Sequence, residues 1–194
     1  LCSAMIPKAD GKLLPCFTLV PKSDYTIDWD SWKVVGMAGT GSYDVIVDDA
    51  FVPEHRLLSF PDAVGSTCPG ADLYDNPLYR VSLLTNVPFT LATPSVAAAM
   101  GAVERFIQDN RMRSTHGAVV LGGKKVAEFQ TVQKRVGEAL ARVDACQTLA
   151  FRDVGEAEAE VRRDGKQSLD LRMRNRRTQS FIAHEAQTAM NLIF

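Results

Sequence analysis

Phe129, Val132, Val136, Ala139, Val143, Cys146, Ala150, Val154, Ala157 and Val161 recur at steps of three and four. That spacing puts them on one face of a single α-helix. Such a helix, roughly 35 residues long, spans about 50 Å at 1.5 Å per residue. Asp164-Gly165 supplies its stop signal, and a second stripe follows in Phe181, Ile182, Ala186, Ala189, Met190 and Ile193. Two long helices joined by a tight turn predict an antiparallel pair within an up-and-down bundle.

The stretch before this pair is also helical. "PSVAAAMGAVERFIQDNRMR" predicts a helix with Thr93 as N-cap and Pro94 in its first position. Its small residues Ala97, Ala98, Ala99, Gly101 and Ala102 point to close packing against another helix, with a flat cofactor as the sharper alternative. Residues 114–125, "STHGAVVLGGKK", form a Gly-rich connection.

Residues 1–60 read differently. "LCSAMI" and "CFTLV" are short apolar strands around a turn in which Asp10-Gly11 is a hairpin signal. In "GMAGTGSYDVIVDDAFVPEHR", Gly36, Gly39 and Gly41 bracket a loop that can reach positive φ. Alternation from Tyr43 to Asp48 predicts a half-buried strand, and Pro53 marks its exit. Residues 61–80 are rich in Pro, Gly and Asp and read as a linker, with helix from about residue 81. The fold class is therefore α+β, with a β portion at 1–60 and a helical bundle at 81–194.

Composition narrows the function. A net charge of −1 gives no reason to expect nucleic acid or an anionic membrane as partner. The charge is uneven: residues 1–100 hold 6 Lys and Arg against 11 Asp and Glu, whereas residues 101–194 hold 16 against 12. The more basic helical half is the better place for an anion. Cys2, Cys16, Cys68 and Cys146 lie far apart, which suits neither a zinc site nor a disulfide framework and makes a reducing cytoplasm the default. No run of residues approaches the apolar length of a membrane span. Leu1 lies inside an apolar stretch and "AMNLIF" carries no stop signal, so the sequence reads as an interior piece of a longer chain.

Few side chains suggest chemistry alone. His55, in "VPEHR", reads as a surface residue near Glu54, and His184 stands apart from it, so the histidines give no metal spacing. Ser42 lacks a Gly-x-Ser-x-Gly context. "GAVVLGG" lacks the Gly-Lys-Ser/Thr ending of a phosphate loop. Arg172, Arg174, Arg176 and Arg177 read as a solvated or bundle-bridging face. Arg113 is the better candidate. It precedes the Gly-rich connection, with Gln130 and Gln133 opening the next helix, and a guanidinium beside helix N-terminal amides suits an anion. A helix C-cap contact is the competing role.

In this order the β segment, the "GMAGTGSYDVIVDDAFVPEHR" unit and the long helices resemble the acyl-CoA dehydrogenase superfamily. The resemblance implies that residues 1–60 belong to a middle β-barrel domain and that residues 81–194 belong to a C-terminal helical bundle. "RSTHG…EFQTVQ" resembles the family's Arg-x-x-Phe-Gly…Phe-Gln element, which implies flavin contacts, across a subunit boundary, for Arg113, His116 and Gln130. His116 replaces the usual Phe, and the connection is longer than in dehydrogenases.

"WKVVGMAGTGSYDV" is most similar to the flavin-dependent monooxygenase branch. That branch implies the oxygenase component of a two-component system, which uses reduced flavin (FMN, with FAD as the alternative) and O2 to hydroxylate a small aromatic, phenolic substrate. It further implies a flavin reductase partner and a homotetramer. By resemblance the catalytic groups fall outside residues 1–194: a serine before Leu1 and a histidine after Phe194. The alternatives are an FAD-dependent acyl-CoA dehydrogenase and a non-catalytic helical assembly module. No Glu occurs between Glu54 and Glu104, which weakens the dehydrogenase reading.

Overall fold

The computed structural model describes residues 1–65, 67–115 and 123–194. The chain divides into two compact units, Leu1–Ala63 and Val64–Phe194.

The first unit is built on an antiparallel hairpin. β1 (Cys2–Pro7) pairs with β2 (Leu13–Thr18), from Cys2 opposite Thr18 to Pro7 opposite Leu13. Asp10 and Gly11 make the turn: Gly11 takes φ 79° and the Asp10 carboxylate accepts from the Lys12 N–H at 3.0 Å. β3 (Thr26–Asp28) and β4 (Asp44–Ile46) form a separate two-stranded ribbon. β5 (Leu57–Ser59) returns to β2, giving a sheet of order β1-β2-β5. Cys16 and Thr18 are its buried residues, and Phe17 packs on Phe60 at 4.5 Å between ring centroids.

The half-buried strand expected at 43–48 is not formed. β4 is three residues long, and Val45, Ile46 and Val47 are all exposed. A two-stranded ribbon has no second layer to bury one parity of side chains. The glycine loop before it does take positive φ, at Gly36 and Gly41, and it also carries Met37 into the left-handed region at φ 52°.

The second unit begins with short elements. α1 (Phe60–Gly65) leads into it, and α2 (Pro69–Leu73) precedes a 3-10 turn at Pro77–Arg80. Residues 61–80, read from composition as a linker, thus carry helical turns and bury Ala63 and Ala71. Gly70 permits this packing, because a Cβ there would lie 2.6 Å from the Tyr79 ring. α3 (Leu83–Asn86) then leads into three long helices: α4 (Pro88–Asn110), α5 (Gln130–Asp164) and α6 (Leu169–Ile193).

The helix expected to start at Pro94 starts six residues earlier. Pro88 occupies the first turn, where its missing N–H costs nothing, and Pro94 sits inside α4. Two prolines offered the same start signal, and burial of Phe89 and Ala92 selected the earlier one.

The three helices share one core. α4 contributes Phe89, Val96, Ala99 and Val103, α5 contributes Ala139, Val143 and Cys146, and α6 contributes Ile182, Ala186, Ala189 and Ile193. Gly165, at φ 74°, lets α5 stop and α6 turn back along it. Of the small residues on α4, Ala99 is sealed in this core, whereas Ala97 and Ala98 face outward.

Two assignments from the periodic stripes are corrected. Val154 and Phe181 lie outside, and Asp153 takes the interior position between Ala150 and Ala157. By length and composition, Leu83–Asn110 is also apolar enough to cross a membrane, at a mean hydropathy of 1.2, contrary to the reading that no run comes near that limit. In the bundle its apolar stripe packs on α5 and α6.

Ile182 is fully buried, so Ile182→Ala should destabilise the protein by about 2–5 kcal/mol, read as a fall in the urea midpoint. Asp144→Ala, on an exposed face of α5, should change stability by less than about 0.5 kcal/mol.

Candidate functional site

The end of α4 and the start of α5 meet at a joint stitched by backbone. The Arg113 carbonyl accepts from the Val126 N–H at 2.8 Å, and Ser114 bridges to Lys125 in antiparallel fashion. A 3-10 turn at Val126–Glu128 then runs into α5, whose first residue is Gln130. Phe129 holds the cap position without a side-chain cap, which leaves amides of the first turn open. The Lys124 ammonium lies over the Phe129 ring at 4.9 Å from its centroid.

Beside this joint lies a cavity of about 230 Å³. Phe106 and Ile107 of α4 and Val132 and Val136 of α5 form its apolar walls, and Arg111 and Gln133 stand among its polar lining. Gln133 is turned toward the connection, donating to the Ala127 carbonyl at 2.9 Å.

Arg113 is exposed, and among the described residues its guanidinium has no ion pair and no hydrogen bond. It is not a helix cap, because α4 ends at Asn110 and the Ile107 carbonyl is taken by the Arg111 N–H. Gln130 is likewise exposed. Arg113 and Gln130 thus stand on either side of one backbone joint, and the cavity next to it is lined by their neighbours Arg111 and Gln133 and not by Arg113 or Gln130 themselves. His116 and most of "GAVVLGG" lie outside the described residues. An exposed cation, open amides and an apolar wall can together hold an anionic group attached to a flat apolar body.

The other candidates disperse. His55 sits in a 3-10 turn at Glu54–Arg56 and His184 on the outer face of α6, and both are exposed. Among the described residues no group of His, Cys, Asp and Glu is placed to hold a metal ion. The arginines of α6 bridge: Arg174 pairs with Glu156, and Arg176 reaches the Leu84 carbonyl at 3.4 Å. Across the hairpin Arg142 pairs with Glu185, and its pKa is raised by hydrogen bonds to Glu138 and then Glu185. Burial, then the charge of Glu185, pushes the Cys146 thiol up, so this cysteine is a core residue and not a nucleophile.

A second apolar groove, of about 290 Å³, runs between α4 and α5, where Met100 and Phe151 face each other across it. The polar interior around Asp153, Asn175 and Gln167 escaped the sequence reading. Its one signal was positional: Asp153 falls four residues before Ala157 and three after Ala150.

Residues 89–194 match the family described as Acyl-CoA dehydrogenase, C-terminal domain. The chain is 45% identical to the oxygenase component of an FADH(2)-dependent resorcinol hydroxylase from Rhizobium sp. (strain MTP-10005), over 93% of this chain and 46% of the relative. It is 33% identical to the flavin-dependent monooxygenase oxygenase subunit HsaA of Rhodococcus jostii (strain RHA1), over 91% of this chain and 45% of that one. The crystal structure of 3-HSA hydroxylase from Rhodococcus sp. RHA1 superimposes with a TM-score of 0.84 at 30% identity, covering 98% of this chain and 48% of that chain. The chain thus spans about half the length of the relatives it matches.

The raised pKa and burial of Cys146 carry a direct consequence. On brief treatment of the native protein with iodoacetamide near pH 8, peptide mapping should find Cys146 unmodified, and unfolding in urea should expose it.

Proposed function

The chain belongs to the acyl-CoA dehydrogenase C-terminal domain family, and from that premise we propose that it is part of the oxygenase component of a two-component flavin-dependent monooxygenase. Its substrate class is a small phenolic aromatic, and a separate flavin reductase supplies the reduced flavin. The observation that carries this reading is the 45% identity to a resorcinol hydroxylase oxygenase component, in a chain whose exposed Arg113 has no ion pair among the described residues and sits at the joint next to which Arg111 and Gln133 line a cavity.

A reduced flavin held here would supply the two electrons with which one atom of O2 enters the ring as hydroxyl and the other leaves as water. The residues of this chain bind and orient. Arg113 holds an anionic part of the flavin by charge-assisted hydrogen bonds, and Gln130 adds a neutral amide contact. His116 belongs to the same element by sequence resemblance. The apolar walls at Phe106 and Val132 keep water away from one side of the joint. No catalytic residue is assigned within residues 1–194.

FMN is the flavin expected from the sequence resemblance, while the relative at 45% identity is named for FADH(2); titration with each decides between them. The same reading makes the intact protein a homotetramer, which the exposed apolar side chains Leu91, Phe151 and Phe181 on outer helix faces support. Four free cysteines suit a reducing cytoplasm.

The test is made on the intact protein, mixed anaerobically with reduced FMN or reduced FAD and then with oxygen. A slow return to oxidised flavin through a distinct absorbing species, with a hydroxylated phenol as product, is expected. Immediate reoxidation, together with turnover of an acyl-CoA, would place it with the dehydrogenases instead. Arg113→Ala should weaken reduced-flavin binding about ten- to hundred-fold, matching the loss of a charged hydrogen bond of about 1.5–3 kcal/mol. Unchanged affinity would remove Arg113 from the site.

A further inference from the structure

The end of the bundle near the α5–α6 turn is polar inside, and its amide groups are locked in one orientation. The Ser82 N–H can only donate, and it donates to Gln167 Oε1 at 2.7 Å. The Ser82 carbonyl can only accept, and it accepts from Asn86 Nδ2 at 2.8 Å. The same Asn86 Nδ2 donates to Gln167 Oε1 at 2.8 Å, so Asn86 must turn its oxygen the other way. That oxygen accepts from Asn175 Nδ2 at 3.1 Å. The backbone N–H and carbonyl of one residue, Ser82, therefore fix three side-chain amides in turn, and the last of them, Asn175, is left presenting a carbonyl oxygen.

Among the described residues Asn175 Oδ1 is buried without a donor, as is Asp153 Oδ2, while Gln167 Nε2, Arg172 Nε and Arg174 Nε are buried donors without an acceptor. Asn175 and Asp153 are both 0% exposed. They stand at the same level of the hairpin: Cys146 reaches the Ile182 carbonyl, Arg142 pairs with Glu185, and Arg174 pairs with Asp153 itself. Two sealed acceptors on facing helices call for a partner with two hydrogens to give.

Three alternatives fail on charge or polarity. A cation would join two guanidiniums already at this carboxylate, since Arg152 Nη2 and Arg174 Nε lie 2.7 and 3.3 Å from Asp153 Oδ1. A proton on Oδ2 would neutralise the acid, weakening its charge-assisted hydrogen bonds from Arg152 and its attraction to Arg174. Rotating Asn175 by half a turn would set its oxygen against that of Asn86, whose orientation Ser82 has fixed.

We propose that Asp153 and Asn175 form an internal site for a neutral double hydrogen-bond donor, a single water molecule bridging α5 and α6. Through Asn175, Asn86 and Gln167 this water belongs to the network that ties α3, at the head of α4, to the α5–α6 hairpin. It is a structural ligand at the opposite end of α5 from the Arg113 joint.

A crystal structure of the protein, at a resolution that orders solvent, tests the site directly. A water within about 2.7–3.2 Å of both Asp153 Oδ2 and Asn175 Oδ1 is expected. Direct contact between the two oxygens, or an Asn175 amide turned toward Asp153, would overturn the proposal. Oxygen-17 relaxation dispersion gives a second reading in solution. Asp153→Asn brings its own amide donor to Asn175 Oδ1, so the folded variant should hold one long-lived water fewer. An equal number in both folded proteins refutes the site, and if the variant does not fold, the crystal structure decides.

Discussion

The close approach of α5 and α6 sets the geometry of the whole helical unit. Ala139, Cys146, Ala150 and Ala157 on one helix face Ile182, Ala186 and Ala189 on the other. Side chains this short let two backbones run near each other over their full length, and the larger Phe89, Val96 and Val103 of α4 fill the notch that remains. The stop of α4 and the start of α5 are then fixed in space. The Arg113–Gln130 joint inherits its position from packing along the seam, since it has few bonds of its own beyond the strand-like stitch to Lys125 and Val126.

The two ends of the bundle solve different problems. Near the α4–α5 joint the cavity walls are apolar, and the exposed Arg113 has no ion pair among the described residues. Near the α5–α6 turn the interior is polar: its amides are engaged with one another and with the backbone of Ser82, and the Asp153 carboxylate pairs with Arg152 and Arg174. Burying Asp153 beside Arg152 and Arg174 brings little net stability, because desolvation offsets most of the attraction. Its effect is on register: sliding α6 along α5 by one turn would strand a buried charge.

Much of this was legible in the sequence, and the misses have physical causes. The 3.5-residue rhythm gave both long helices and the turn at Gly165. It failed at Val154 because residue type was followed where position should have been: the seam continues through Asp153, three residues after Ala150. At Thr93-Pro94 a genuine start signal was outvoted by burial of Phe89 one turn upstream. The strand at 43–48 alternates as a half-buried strand should, yet burial requires a second layer that a pattern within one strand cannot supply. Of the candidate site, Arg113 and Gln130 were visible as residue types flanking a Gly-rich connection, while the cavity next to that joint was not, since Phe106 and Val136 belong to different helices.

The sequence by itself determined the class of structure: an acidic β portion followed by long amphipathic helices, with turns at Gly11 and Gly165 where only positive φ closes the chain. These are local facts, set by side-chain periodicity and backbone sterics within a few residues. The tertiary structure decided which face of each helix is buried, which of two prolines begins α4, and which polar groups end inside. Those outcomes depend on what lies across the interface. A core position is defined by its neighbour on another helix, and no spacing along one chain segment carries that information.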